Sequence, residues 1–215
     1  MKKIYISADI EGIWGNSNPA FTMRGGALYD EYRLNMINEV NLAADLLFKN
    51  GVTEITVNDG HGNMDNLLPS RLDKRVSFVT SNGAFKEYGM MEGFDGTFDG
   101  AIFLGYHCRS NSHGVMAHTI SGSLIHSVSV DGKELGETGI NGFLAEEYGV
   151  PVILVTGDDL LRPQAESELS APFFYVETKK ALNSQSAVCC SWNMLESRYE
   201  TAIKEALKLP KQDAK

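Results

Sequence analysis

Three features of the sequence predict an α/β fold with a mainly parallel sheet flanked by helices. Short, nearly continuous apolar runs recur along the chain, as strands buried on both faces require. Segments with helical periodicity lie between them. Most of the apolar runs end in carboxylates or imidazoles, which places polar chemistry at the carboxyl ends of the strands.

The first strand is predicted over Lys3 to Ala8 (KIYISA), followed by a Gly/Asn/Pro-rich loop from Gly12 to Gly26. Leu34, Ile37, Asn41, Ala44, Leu47 and Phe48 recur at helical spacing within Tyr29 to Asn50, and Gly51 provides a stop. Thr53 to Val57 and, more weakly, Val76 to Thr80 read as strands, and Ala101 to Tyr106 as a buried one. A polar loop covers Cys108 to Thr119. Ser123 to Val130 alternates as a strand and runs into Asp131-Gly132, a strong hairpin signal. Gly139 to Tyr148 reads as a helix stopped by Gly149, and Pro151 to Thr156 as a second buried strand. Asp158 or Asp159 caps a helix to about Leu169. Phe173 to Thr178 is the last strand, and Trp192 to Leu209 a final amphipathic helix.

The 215 residues suffice for one domain with a real core, so residues 1–215 read as a single α/β metallohydrolase domain. A formal charge of −9 argues against nucleic acid and anionic membranes as partners. Three irregularly spaced cysteines form neither a disulfide framework nor a CxxC zinc pattern, which points to a reducing cytoplasm. The run after the N-terminal MKK is broken at once by Asp9 and Glu11, so no signal-peptide core is expected. No stretch approaches the ~20 apolar residues of a membrane span.

The strand ends carry the functional signal. KIYISA runs into Asp9 and Glu11, TEITV into Asn58, Asp59 and His61, AIFLGY into His107, and PVILVT into Asp158 and Asp159. Asp9 and Glu11, two residues apart, share one side of an extended chain. Mixed imidazole and carboxylate donors suit zinc, manganese or cobalt better than calcium. Three carboxylates and two imidazoles exceed the three protein ligands typical of one catalytic zinc, and suffice for two metals sharing a carboxylate. Taken singly, each group has a plainer reading. Glu137 is a favourable charge in a helix's first turn, Asp59 a turn former, and Asp158 a helix cap. His113 and His118 follow His107 in the polar loop, and spacing alone does not separate ligand, acid–base group and surface residue. His126 reads as structural within its strand.

At these residues a family resemblance enters. SADIEG (Ser7–Gly12), VNDGHG (Val57–Gly62), LGYH (Leu104–His107), GVMAHT (Gly114–Thr119) and GETGIN (Gly136–Asn141) together resemble the D-aminopeptidase family of binuclear zinc metallopeptidases. The resemblance implies two zinc ions per chain. Asp9 bridges them, Glu11 and His61 complete one set of ligands, His107 and Glu137 complete the other, and His118 is catalytic. It further implies hydrolysis of the N-terminal bond of short peptides with D-amino-acid N-termini, through a hydroxide bridging the zincs. A ring-shaped homo-oligomer, a decamer in the family, is also implied. Family members usually carry a further C-terminal segment, expected here to be absent or truncated. The site chemistry alone also fits another binuclear-metal amidohydrolase, a phosphoesterase, or a non-catalytic metal-binding assembly protein. Only Arg109 lies near enough in sequence to hold a phosphate.

Overall fold

The computed structural model describes residues 2–80 and 85–211. The chain runs through β1 (Lys3–Ala8), α1 (Tyr29–Lys49), β2 (Glu54–Asp59), β3 (Ser77–Val79) and β4 (Gly100–Leu104). A hairpin of β5 (Val128–Val130) and β6 (Lys133–Leu135) precedes α2 (Glu137–Glu147). Then come β7 (Val152–Asp158), α3 (Leu161–Glu168), β8 (Phe174–Asn183), β9 (Ser186–Cys189) and α4 (Trp192–Ala206).

Seven strands form one sheet in the order β3-β2-β1-β4-β7-β8-β9. Every neighbouring pair is parallel except β8 with β9. The chain builds outward from β1 to β2 and β3, then returns to lay β4 on the other side of β1. The crevice beyond the carboxyl ends of β1 and β4 is therefore the topological switch point, where α/β sheets bind ligands.

Both faces of the sheet are covered, so its central strands are apolar on both sides. β4 and β7 are buried throughout, and β1 is buried after Lys3. Ile4, Ile6 and Ala8 pack with Met36 and Val40 of α1 and Leu195, Tyr199 and Ile203 of α4. Tyr5, facing the other way, packs with Phe94, Phe98, Phe103, Val155 and Ala165. The period of two along β1 thus divides its side chains between two cores.

The structure departs from the expected elements where pairing or turns decide them. β2 extends past Val57 because Asn58 and Asp59 continue the ladder with Ser7 and Ala8. α2 starts at Glu137, two residues before the expected Gly139. Of the predicted strand Ser123–Val130, only Val128–Val130 is paired. Leu124 and Ile125 N–H groups turn back onto Ser121 O. His126 therefore lies outside any strand, exposed, with its carbonyl accepting from Asn111 Nδ2. The Asp131-Gly132 turn forms as expected, both residues at positive φ (50° and 79°), as a two-residue hairpin demands. β9 was not expected. No helix among the described residues is long and apolar enough to cross a membrane, and all three cysteines are free.

Glu39 in α1 is wholly buried, accepting hydrogen bonds from Trp14 N–H and, at 2.5 Å, Tyr199 O–H. Burial pushes its carboxyl from 4.5 up to about 7 against those bonds. The folded state keeps this proton after the unfolded chain has released it. Its stabilising contribution is therefore complete below about pH 4.5 and is lost as pH rises to about 7. Glu39→Gln should match the wild type near pH 4.5 and exceed it at pH 8 by roughly 3 kcal/mol. Paired thermal melts at the two pH values check this, and an equal offset at both would refute it.

Candidate metal centre

The backbone beyond the strands is fixed before any ligand side chain is considered. Asp9 N–H donates to Leu104 O at 2.8 Å, and Gly12 N–H to Gly105 O at 2.7 Å. Gly60 N–H donates to Ala8 O at 2.7 Å. These bonds extend the contacts of β1 with β4 and β2 into the loops. A Cβ on Gly12 would lie 2.0 Å from Tyr106 O, so only glycine permits the approach. From β8, Lys179 buries its ammonium against this loop, donating to Glu11 O (2.5 Å), Ile13 O (2.8 Å) and Asn16 O. Thr178 Oγ1 donates to Gly12 O at 2.5 Å.

Five predicted ligands converge on this platform. Asp9, Glu11, His61, His107 and Glu137 are all buried. His61 Nδ1 lies 3.0 Å from Glu11 Oε2 and 3.4 Å from Asp9 Oδ1. His107 Nε2 lies 3.3 Å from Asp9 Oδ2 and 3.2 Å from Glu137 Oε2. One oxygen of Asp9 thus faces each imidazole. Asp9, Glu11 and His61 present ligand atoms within 4.8 Å of one another, as do His107, His118 and Glu137. The cleft above them, about 270 Å³, is lined by Met23, His118, Ile120 and Glu137 among others.

Each ring is oriented by a backbone carbonyl. His61 Nε2 donates to Thr22 O (3.0 Å), His107 Nδ1 to Cys108 O (2.9 Å) and His118 Nδ1 to Met116 O (3.0 Å). In a neutral imidazole with one nitrogen so committed, the other presents a lone pair. That lone pair faces carboxylate oxygens. His107 Nε2 has no hydrogen-bond partner although it is buried. Lone pair against lone pair is repulsive unless a proton or a metal cation lies between them, and a site built this way can exchange the one for the other. The donor set therefore fits divalent metal.

The electrostatics agree. Burial and the Glu11 charge raise the Asp9 carboxyl above the ordinary range. Burial disfavours the charged forms of His61 and His107, yet the surrounding carboxylates outweigh it. His61 is held well above its ordinary value, and His107 is raised to about 10. The cleft has an excess of negative charge that cations relieve.

The remaining candidates separate. Asp59 accepts from the N–H groups of His61 (3.2 Å), Asn66 (2.5 Å) and Leu67 (2.8 Å), so it shapes the turn and does not touch the His61 ring. Asp158 Oδ1 accepts from Leu160 and Leu161 N–H at 3.0 Å as the cap of α3, while Oδ2 accepts from Val115 N–H at 2.6 Å. His113 is exposed and lines a different pocket. Arg109 faces Glu134 (3.7 Å) and Glu168 (3.8 Å), which withdraws the one nearby guanidinium from a phosphate role. Sequence reasoning missed Thr22, which acts only through its carbonyl, and Lys179. It also missed Glu168, which accepts from Gly136 and Gly139 N–H and so holds the turn bearing Glu137.

A family model described as D-aminopeptidase matches residues 1–215. The chain belongs to the D-aminopeptidase family. It is 38% identical over 188 residues to D-aminopeptidase of Bacillus subtilis (strain 168), covering 87% of this chain and 67% of that protein. Its fold is similar to that of the Zn-dependent D-aminopeptidase DppA from Bacillus subtilis, described as a self-compartmentalizing protease. That match has a TM-score of 0.91 and 32% identity, and covers 96% of this chain and 74% of that one. The mostly parallel seven-stranded sheet is thus the fold of this D-aminopeptidase family member and of its structural relative.

Because Gly12 lies against the Gly105–Tyr106 backbone, Gly12→Ala should displace Glu11 from its partners. Elemental analysis after metal reconstitution should show reduced metal retention, and the melting temperature should fall. Full retention in the variant would refute a positioning role for this contact.

Proposed function

We propose that the chain is a zinc-dependent aminopeptidase that releases the N-terminal residue, of D configuration, from short peptides. The observation that carries this reading is the division of the Asp9 carboxylate, with Oδ1 toward His61 and Oδ2 toward His107. Asp9, Glu11 and His61 would hold one zinc, and Asp9, His107 and Glu137 the other. When bound, the zinc pair would activate water and polarise the scissile carbonyl. The D-aminopeptidase relatives support the substrate class.

His118 is the group left to act on substrate. Its ring stacks on His107 at 4.1 Å between centroids with only 9° between planes. An imidazole binds a metal in its own ring plane, so two nearly parallel stacked rings cannot both direct a lone pair at one ion. His107, nearer Glu137 and Asp9, takes the ligand role. His118 Nε2 lies 3.8 Å from Glu137 Oε1 and is partly exposed to the cleft; with Nδ1 committed to Met116 O, it would first take up a proton at Nε2 and, as imidazolium, hydrogen-bond the developing oxyanion or pass that proton to the leaving amine.

The three free thiols suit a reducing cytoplasm. The self-compartmentalizing relative supports a homo-oligomer, ring-shaped in this reading, which sedimentation of the purified protein tests.

Reconstituted protein should carry about two zinc ions per chain. Asp9→Ala should lose both, whereas Glu11→Ala should mainly weaken one. Metal titration showing the same single-site loss in both variants would overturn the bridging role.

His118→Ala should keep its zinc while turnover falls about 10²–10⁴-fold, with little change in substrate affinity. His113→Ala should leave both nearly intact. Loss of a zinc equivalent from His118→Ala would reassign it as a ligand.

A further inference from the structure

Ile120 stands at the lip of the metal cleft in a backbone conformation that isoleucine avoids. Its φ is +62°. Ser121 N–H closes a three-residue turn around it on Thr119 O, at 2.6 Å. Turns of this hand are strained for any L-residue, and most for one with a branched Cβ. The turn is held by its neighbours. Ile120 N–H donates to Glu137 Oε1 at 2.7 Å, and the buried Thr119 accepts at Oγ1 from Ser110 N–H at 3.0 Å.

None of these bonds uses the Ile120 side chain. Glycine would make every one of them without strain. Folding therefore does not account for isoleucine here, and strain kept beside a reactive cleft points to a role for the side chain. Ile120 is 62% exposed and lines the cleft together with Asp9, Glu11 and Glu137. Met23, 55% exposed, borders the same cleft from the loop that precedes α1. These two are the large apolar side chains in an otherwise polar or glycine lining. An apolar pair over a polar floor is surface that a bound apolar group would remove from water.

We propose that Ile120, together with Met23, determines specificity by packing against an apolar side chain on the substrate's N-terminal residue. This rests on the aminopeptidase reading, which puts that residue over the metal ligands. The strained turn projects a rigid β-branched side chain where a relaxed glycine would leave a gap, so small N-terminal residues gain less than branched apolar ones.

The test measures binding by calorimetry on zinc-loaded protein, with D-leucine hydroxamate and D-alanine hydroxamate as probes. Wild type should bind the leucine probe about ten-fold more tightly, the preference that a few packed methylene groups give. Ile120→Gly should reduce that preference to about two- to three-fold, keep its zinc, and melt at or above the wild-type temperature because the strain is relieved. Ile120→Val should retain most of the preference. Equal affinities in the wild type, no binding of either probe, or an unchanged preference in Ile120→Gly would overturn the proposal. A leucine preference that Ile120→Gly loses, in a wild type that cleaves no peptide, would support the lip and sink the aminopeptidase reading instead.

Discussion

Asp9 is the carboxylate on which the site depends. It lies in the crevice between β1 and β4, buried, with Glu11 on one side and Glu137 on the other. Three buried carboxylates in one cleft are unstable unless cations answer them. Its two oxygens point at two different imidazoles, so this one carboxylate joins both groups of donors. The surrounding structure keeps this carboxylate at the switch point. The Asp9 N–H is committed to Leu104 O, and Oδ1 also accepts from Ile10 N–H at 2.8 Å.

The same logic extends outward. An imidazole can offer a metal a nitrogen only if the correct one is free, and here a nearby backbone carbonyl engages the other nitrogen of each candidate ring. Those carbonyls belong to residues of no special type. The loops are in turn positioned by groups that never reach the cleft: Asp59 at the turn after β2, Asp158 under the His107–Thr119 loop, and Glu168 behind the first turn of α2. The candidate ligands occupy few positions, but the backbone that presents them is braced from β2, β7, β8 and α3.

What the sequence revealed follows that division. Continuous apolar strands such as Lys3–Ala8 were legible to the residue, because burial on both faces leaves one pattern. Asp9, Glu11, His61 and His107 were legible as residues meeting in one cleft because acidic and imidazole side chains at strand ends are conspicuous, whereas Glu137 stood out only through the GETGIN resemblance. The bracing was not. Thr22 and Cys108 contribute carbonyls, which every residue has. Lys179 reads as a solvated charge until the loop carbonyls that solvate it are seen. β9 was missed because Ser186–Cys189 is four residues long and its pairing depends on the extension of β8 to Asn183. His126 was misplaced because alternation in Ser123–Val130 mimicked a strand, whereas the hydrogen bonds of Leu124 and Ile125 close turns.

The Lys179 contact also bears on the order of events during synthesis. Its ammonium holds the Glu11 carbonyl across a sequence separation of 168 residues. A ribosome-bound chain that has emerged only through α2 already contains Asp9, Glu11, His61, His107 and Glu137, yet lacks the strand that fixes the first loop. In such a chain the Glu11, Ile13 and Asn16 carbonyls have no Lys179 ammonium to gather them, so the final shape of the first loop depends on a strand that the ribosome delivers only from the C-terminal third.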